Sequence, residues 1–209
     1  TILREGKEIG FQGFELGGKF PSEPRALGEV LGQHGLELVS GWYSSGLAHR
    51  DVEAEIEAIR PHCRLLAENG ARVLVYGEVA GSIQSQRVPL IERPRFHNDA
   101  AWQAYAEKLD RLAAFTLSQG VRLAYHHHMG AYVESPEDIT RLLALTSPDV
   151  GLLFDAGHCY MGGGDPLSVL QQHIDRVCHV HFKDVRKDVV QLARNNQWSF
   201  PDCILNLSL

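Results

Sequence analysis

A chain of 209 residues, 44% hydrophobic and 22% charged, has the make-up of a water-soluble globular protein and is long enough for one large domain or two small ones. A formal net charge of −6 supplies no basic face, which argues against nucleic acid or an anionic membrane as a partner. No apolar run approaches the roughly 20 residues of a membrane span.

Residues 1–9 read as the inside of a helix and not as a secretory signal, which leaves room for one in a segment ahead of them. Cys63, Cys159, Cys178 and Cys203 form no Cys-x-x-Cys pair and mostly sit in apolar patterns. They read as reduced, buried thiols, which points to the cytoplasm. Eleven histidines are many for this length, and they concentrate between His126 and His181.

In chain order, Thr1 to Ile9 reads as a helix closed by Gly10, and Gly13 to Leu16 as a short strand. Ser22 is positioned to cap the next helix, with Pro24 in its first turn and Leu27, Val30 and Leu31 inward. Leu36 to Ser40 is a strand, and Gly41 to Gly46 a loop. Asp51 caps a longer helix with Val52, Ile56, Ile59, Cys63 and Leu66 on its inner face. Pro61 inside it should kink or split it. Arg72 to Tyr76 is a strand ending in Gly77-Glu78, and Val79 to Asn98 is a long, aperiodic connection.

Asn98 or Asp99 starts a helix carrying Trp102, Tyr105, Leu109, Leu112 and Phe115 inward. Val121 to His128 is the next strand, and Ser135-Pro136 starts a helix with Ile139, Leu142 and Leu143 inward. Val150 to Asp155 is a strand, and Asp165-Pro166 starts a helix with Leu167, Leu170 and Ile174 inward. Val177 to Phe182 is a strand, and Lys187 to Asn195 is helical. The tail from Trp198 to Leu209 shows no clear pattern.

Strands alternating with helices predict a parallel sheet covered by helices. A doubly wound sheet and a (β/α)8 barrel both fit. No Gly-x-Gly-x-x-Gly follows a strand, and polar residues gather at the ends of several consecutive strands, which favours the barrel. Residues 1–209 read as a single barrel domain. With six strands counted, the barrel should lack its first strand and its last strand–helix unit.

Parallel strands are re-entered from one end, so His126, His128, Asp155, His158, His181 and Asp184 should converge. A carboxylate directly after the buried run Val150 to Phe154 is costly unless paired or cation-bound, and His158 follows Asp155 by three residues. A helix cap is the plainer reading of Asp155. Alternation puts His126 and His128 on one face and His127 on the other. It also puts His179 and His181 opposite Cys178, Val180 and Phe182, with His181 at the rim and His179 a layer lower. Imidazole beside carboxylate suits Mn, Fe, Co or Zn over Mg or Ca. Lys183 offers a cation that can polarise a carbonyl or stabilise an enediolate. Glu15, Glu78 and Glu134 follow strands and read as acid/base groups, substrate clamps or plain surface carboxylates. Trp42 and Tyr43 wall a pocket for a sugar-like ring or cover the core.

The runs GFELGGKFP (13–21), VYGE (75–78), YHHHMG (125–130), GLLFDAGH (151–158) and HVHFKDVR (179–186) resemble the inosose dehydratase family, which includes a protein of rhizopine breakdown. That family lies within the xylose-isomerase-like barrels. The resemblance implies a (β/α)8 fold and a lyase that dehydrates 2-keto-myo-inositol with a divalent metal, Mn or Co, Zn also being compatible. It implies metal ligands at Asp155 and His181. The fifth-strand ligand, usually Glu, aligns with His126, with His128 or Glu134 as substitutes; the eighth-strand Glu has no counterpart. His158, His128 and Glu78 are candidates for base and acid, with Lys183 holding enediolate oxygens. Glu15, Trp42 and Asp184 are expected at the substrate. The implied partner is a small cyclic polyol ketone or sugar, and a homo-oligomer is compatible with the chain. A sugar isomerase or epimerase, or a non-catalytic sugar-binding barrel, are the alternatives.

Overall fold

A computed structural model of the chain describes residues 2–207; Thr1 of the first helical pattern and residues 208–209 of the tail lie outside the described residues. Helix α1 (Ile2–Ile9) precedes β1 (Gly13–Leu16), α2 (Pro24–Gly32), β2 (Glu37–Ser45), α3 (Val52–Glu68) and β3 (Val73–Glu78). Then come α4 (Asp99–Ser118), β4 (Arg122–His126), α5 (Pro136–Leu145), β5 (Gly151–Asp155), α6 (Ala156–Met161), α7 (Pro166–His173) and β6 (Val177–His181). Helices α8 (Lys187–Asn195) and α9 (Phe200–Leu207) follow. The strands form one sheet in chain order, every neighbouring pair parallel. The described residues thus build six strands of an incomplete (β/α)8 barrel.

Two apolar layers flank the sheet. Tyr76, Leu123, Tyr125 and Leu152 pack with Leu66, Leu109, Leu112 and Leu142 of the helices in the main core. Val75, Ala124 and Leu153 form a small cluster on the opposite, inner face, with Trp42 and Cys178 against it. Burial of both faces explains why β3, β4 and β5 read as nearly continuous apolar runs.

Several boundaries differ from expectation. Pro24 is the first residue of α2, so the cap falls on Glu23, whose carboxylate accepts the Ala26 N–H, and not on Ser22. Strand β2 runs through the expected loop to Ser45, because β3 continues to Glu78 and supplies partners for Ser44 and Ser45. Helix α3 passes through Pro61 unbroken. Loss of one backbone bond costs about 3 kcal/mol, which the buried face of Ile59, Cys63 and Leu66 offsets. Leu167 and Ile174 are 62% and 56% exposed, while Val169 is the buried residue of α7. That helix stops at His173, leaving Ile174 in the turn that follows.

Two bulges change the parity of the strands. Phe14 pairs with Leu38 but Glu15 with Ser40, skipping Val39. Leu152 pairs with Val177 but Leu153 with His179, skipping Cys178. Cys178 therefore packs on the inner cluster and not beside Val180. Bulges of this kind re-aim side chains near functional sites.

Candidate functional site

Strands β4, β5 and β6 end on His126, Asp155 and His181, on the inner face of the sheet. Asp155 is fully buried, and its two oxygens do different work. Oδ1 accepts the backbone N–H of His158 at 2.9 Å and caps α6, a helix the sequence pattern did not reveal. Oδ2 faces His126 Nε2 at 3.2 Å, His181 Nδ1 at 3.7 Å and His158 Nε2 at 3.9 Å. Lys183 Nζ donates to the same oxygen at 2.6 Å and to His158 Nε2 at 3.1 Å. The bulge at Cys178 makes this possible: it sets His181 directly opposite Asp155, where regular pairing would have set Val180.

Behind the cluster, Asp155 N donates to His127 Nε2 at 3.3 Å, so His127 is a buried support on the far face of the strand. His128 Nδ1 donates to the Met129 carbonyl at 2.9 Å, which leaves Nε2 as the accepting nitrogen of a neutral ring. The Trp42 ring stands edge-on to His126 and His128, with centroids 5.4 and 6.3 Å away. The indole lies where Gly77 has no side chain; a Cβ there would sit 2.2 Å from it. A cavity of about 480 Å³ opens over these groups, lined by Trp42, His126, His128, His181, Lys183 and Phe200. Phe200, from α9, lies 5.3 Å from the His128 ring and 5.6 Å from that of His158. It also lines a second cavity of about 310 Å³, shared with Lys183 and His158.

The electrostatics follow from burial and pairing. Burial pushes the Asp155 carboxyl upward, but hydrogen bonds from His126 and His181 and the nearby His158 outweigh it and hold it well below the usual carboxylate range. Hydrogen bonds to Asp155 and Glu15 lift His181 to about 9. Burial lowers His126, and it lowers His128 to about 4 and His127 to about 3. Burial, aided by His128, takes His158 far below an ordinary imidazole. The site is thus an ionised carboxylate ringed by mostly neutral imidazoles.

This donor set suits a divalent transition ion. Ligand bonds of about 2.0–2.2 Å allow two donors on one ion to lie up to roughly 4.4 Å apart, and all three imidazole distances to Asp155 Oδ2 fall inside that limit. The donor atoms of His126, Asp155 and His158 also lie within 4.8 Å of one another, as do those of Glu15, His179 and His181.

The structure does not bring every candidate here. Asp184 is exposed, accepts the N–H of Val185 and lines the second cavity, not the one over the Asp155 cluster. Glu134 accepts the Gly130 N–H at 2.6 Å and pairs with Arg93 at 3.3 Å, in the loop after β4. Glu78 points to the helix side, because alternation carries it there with Tyr76. Its carboxylate accepts from Ala48 N, Ala80 N and the Tyr76 and Tyr105 hydroxyls at 2.9–3.2 Å. Glu15 does join the group, though through histidines: Oε2 faces His181 Nε2 at 3.2 Å and accepts from Ser40 Oγ at 2.7 Å. Ser40 and Phe200 were not singled out from sequence. A serine inside a strand carries no signal, and Phe200 sits in the aperiodic tail.

Glu78 yields a stability prediction. Burial pushes its carboxyl up to about 7 from an ordinary 4.5, against the pull of its four donors. An acid raised in this way holds its proton more tightly folded than unfolded. Its contribution is therefore present below pH 4.5 and is lost as pH rises through about 7, a fall of roughly 3 kcal/mol. The lowered imidazoles of His127, His128 and His158 push the slope of the whole protein the other way over the same window, so the difference between wild type and Glu78→Gln isolates the carboxyl: the wild type's advantage in thermal melts should shrink as pH rises from 4.5 through 7. An advantage that grows with pH would refute the assignment.

Among the described residues no helix is long and apolar enough to cross a membrane. Over residues 3–197 the chain matches the family model for the xylose isomerase-like TIM barrel. It is 47% identical over 204 residues to the rhizopine catabolism protein MocC of Rhizobium meliloti, covering 97% of this chain and 62% of that protein. It is 38% identical over 193 residues to an inosose dehydratase of Geobacillus thermodenitrificans, covering 91% of this chain and 65% of that protein. The chain therefore spans just under two thirds of the length of these relatives. The 3-keto-D-glucoside 4-epimerase YcjR from E. coli shares the fold, with a TM-score of 0.67 at 19% identity, covering 93% of this chain and 81% of that one. A parallel sheet with polar residues gathered at its strand ends, matched by the family model over nearly its whole length, places the chain in the xylose isomerase-like TIM barrel family.

Proposed function

We propose that the chain carries the active site of a metal-dependent dehydratase, a carbon–oxygen lyase that removes water from 2-keto-myo-inositol in inositol or rhizopine breakdown. The observation that carries this reading is the convergence of three imidazoles and an ammonium on Asp155 Oδ2. Identities of 47% and 38% to the rhizopine protein and the inosose dehydratase select this chemistry among those an acid–imidazole cluster can perform.

Asp155, His126 and His181 would hold the ion, and their mixed carboxylate and imidazole donors favour Mn or Co, with Zn also compatible. When bound, such an ion supplies Lewis-acid polarisation of the ketone. The chain's own groups do the rest. His128, neutral and with Nε2 free to accept, takes the proton alpha to the ketone. Lys183, 3.1 Å from His158, places positive charge beside the developing enediolate. The Lys183–His158 pair delivers a proton to the departing beta-hydroxyl, so that the new double bond and one water balance the step.

Incubating the purified protein with 2-keto-myo-inositol and Mn²⁺ or Co²⁺ should generate an ultraviolet-absorbing diketone. Chelation should abolish turnover and the ion should restore it. Carbonyl migration without loss of water would replace the lyase reading with an isomerase. Neither turnover nor stoichiometric ion would leave a binding barrel.

The ring-sized cavity walled by Trp42 and Phe200 makes a further prediction. Phe200→Ala removes the partition between the two cavities, and KM should rise about tenfold with a smaller change in kcat. Phe200→Leu should fall between. Steady-state kinetics decide it, and an unchanged KM in the alanine variant would remove Phe200 from the substrate wall.

A further inference from the structure

We propose that Glu15 is a positioning residue for His181: its carboxylate takes the Nε2–H of that ring and so reserves Nδ1 for the cation that Asp155 would share. The proposal rests on the metal-site reading above and deepens it.

The two nitrogens of His181 face two different carboxylates, Nε2 toward Glu15 Oε2 at 3.2 Å and Nδ1 toward Asp155 Oδ2 at 3.7 Å. Both carboxylates only accept, so each nitrogen can present an N–H; the closer contact keeps the Nε2 proton on Glu15, and Nδ1, at the longer one, is the nitrogen that yields its proton to an ion shared with Asp155. Histidine ligands characteristically donate their other N–H in this way, which fixes tautomer and ring orientation. The neighbouring rings differ: Nδ1 of His126 and Nδ1 of His158 are buried and find no partner among the described residues. Among these residues, His181 is thus the imidazole around Asp155 whose outer nitrogen is held by a carboxylate.

Glu15 is itself held. Ser40 Oγ donates to the same oxygen at 2.7 Å, and His179 Nε2 lies 3.3 Å from that hydroxyl and 3.7 Å from the carboxylate. The β1–β2 bulge creates the contact, since regular pairing would put Glu15 opposite Val39 and not Ser40. One bulge therefore aligns His181 with Asp155, and the other aligns Glu15 with Ser40. Two independent irregularities serve the two sides of one ring. A second ion held by Glu15, His179 and His181 is the competing reading. It would have to displace both the Ser40 bond and the Nε2 proton.

Calorimetric titration with Mn²⁺ of the wild type, Glu15→Ala and Glu15→Gln tests this. One ion should bind the wild type. Glu15→Ala should weaken it about 10–100-fold at the same stoichiometry, and Glu15→Gln, whose amide oxygen still accepts, should recover part of the loss. Unchanged affinity in Glu15→Ala, or a drop from two ions to one, overturns the proposal. A second readout needs no ion. In the metal-free protein the Nε2 proton of His181 should resist exchange in proton–nitrogen NMR spectra, and Glu15→Ala should abolish that protection. If the wild type binds no Mn²⁺, the metal-site reading fails, and the NMR result alone then decides the role of Glu15: protection unaltered in Glu15→Ala refutes it.

Discussion

Asp155→Asn should cut turnover by about 10²–10³-fold or more while leaving the protein folded, and stoichiometric Mn²⁺ should be lost with the activity. The division of labour between the two oxygens is the reason. The asparagine carbonyl can still accept the His158 N–H, so α6 keeps its cap. The amide nitrogen replaces Oδ2, the oxygen on which His126, His181, His158 and Lys183 converge. A donor then faces three imidazoles and an ammonium where an anion stood. Lys183 is 48% exposed along its side chain and can swing into water, which limits the cost to the fold. Asp155→Ala removes the cap as well and should lose about 1 kcal/mol more in thermal or denaturant unfolding. Metal analysis beside kinetics checks the pair. Full metal content in the asparagine variant would show that Asp155 is a helix cap and nothing further, the plainer reading its position after a strand always allowed.

The cap accounts for Oδ1, and the contacts of Oδ2 show how far a sequence can be read here. Apolar runs ending in polar residues mark β4, β5 and β6, and parallel topology forces their ends together, so the approach of His126, His158 and His181 to Asp155 is legible in the sequence, whereas it is Lys183 and not the neighbouring Asp184 that reaches the same carboxylate. Parity was legible only where strands are regular. A bulge is a single skipped residue with no hydropathy of its own, so neither the turn of Cys178 onto the inner face nor the Glu15–Ser40 contact could be read. Glu78 and Glu134 resembled site carboxylates because both follow a strand. Glu134 sits in the loop after β4, whereas Glu78 is separated by the side of the sheet, which depended on β3 running two residues and β2 five residues further than their composition implied. Phe200 reaches the site from a segment without periodicity, where tertiary packing against Met129, Met161 and Val190 supplies the order that local propensity does not.

Lys183→Met should separate binding from chemistry, in contrast to Asp155→Asn. The methionine keeps an unbranched stem, which matters because Lys183 Cβ lies against Gly157, where an added Cβ would approach it to 2.7 Å. What is lost is the ammonium, 2.6 Å from Asp155 and 3.1 Å from His158. A fixed positive charge beside a developing enediolate contributes about 10²–10³-fold to kcat, and that is the expected fall. Mn²⁺ affinity should not fall and should rise, because the Lys183 ammonium on Asp155 Oδ2 competes with an arriving cation for the same lone pairs. Without the ion the variant leaves a buried carboxylate supported only by imidazoles, so its metal-free form should melt earlier than the wild type and regain stability when Mn²⁺ is added. Lys183→Arg should not restore kcat, since a planar guanidinium cannot occupy the compact position between Asp155 and His158. Calorimetry, melting curves with and without Mn²⁺, and single-turnover kinetics read the three effects separately. If kcat survives in Lys183→Met while Mn²⁺ binding weakens, the ammonium orders the metal site rather than acting on the substrate, and the proposed acid–base assignment falls with it.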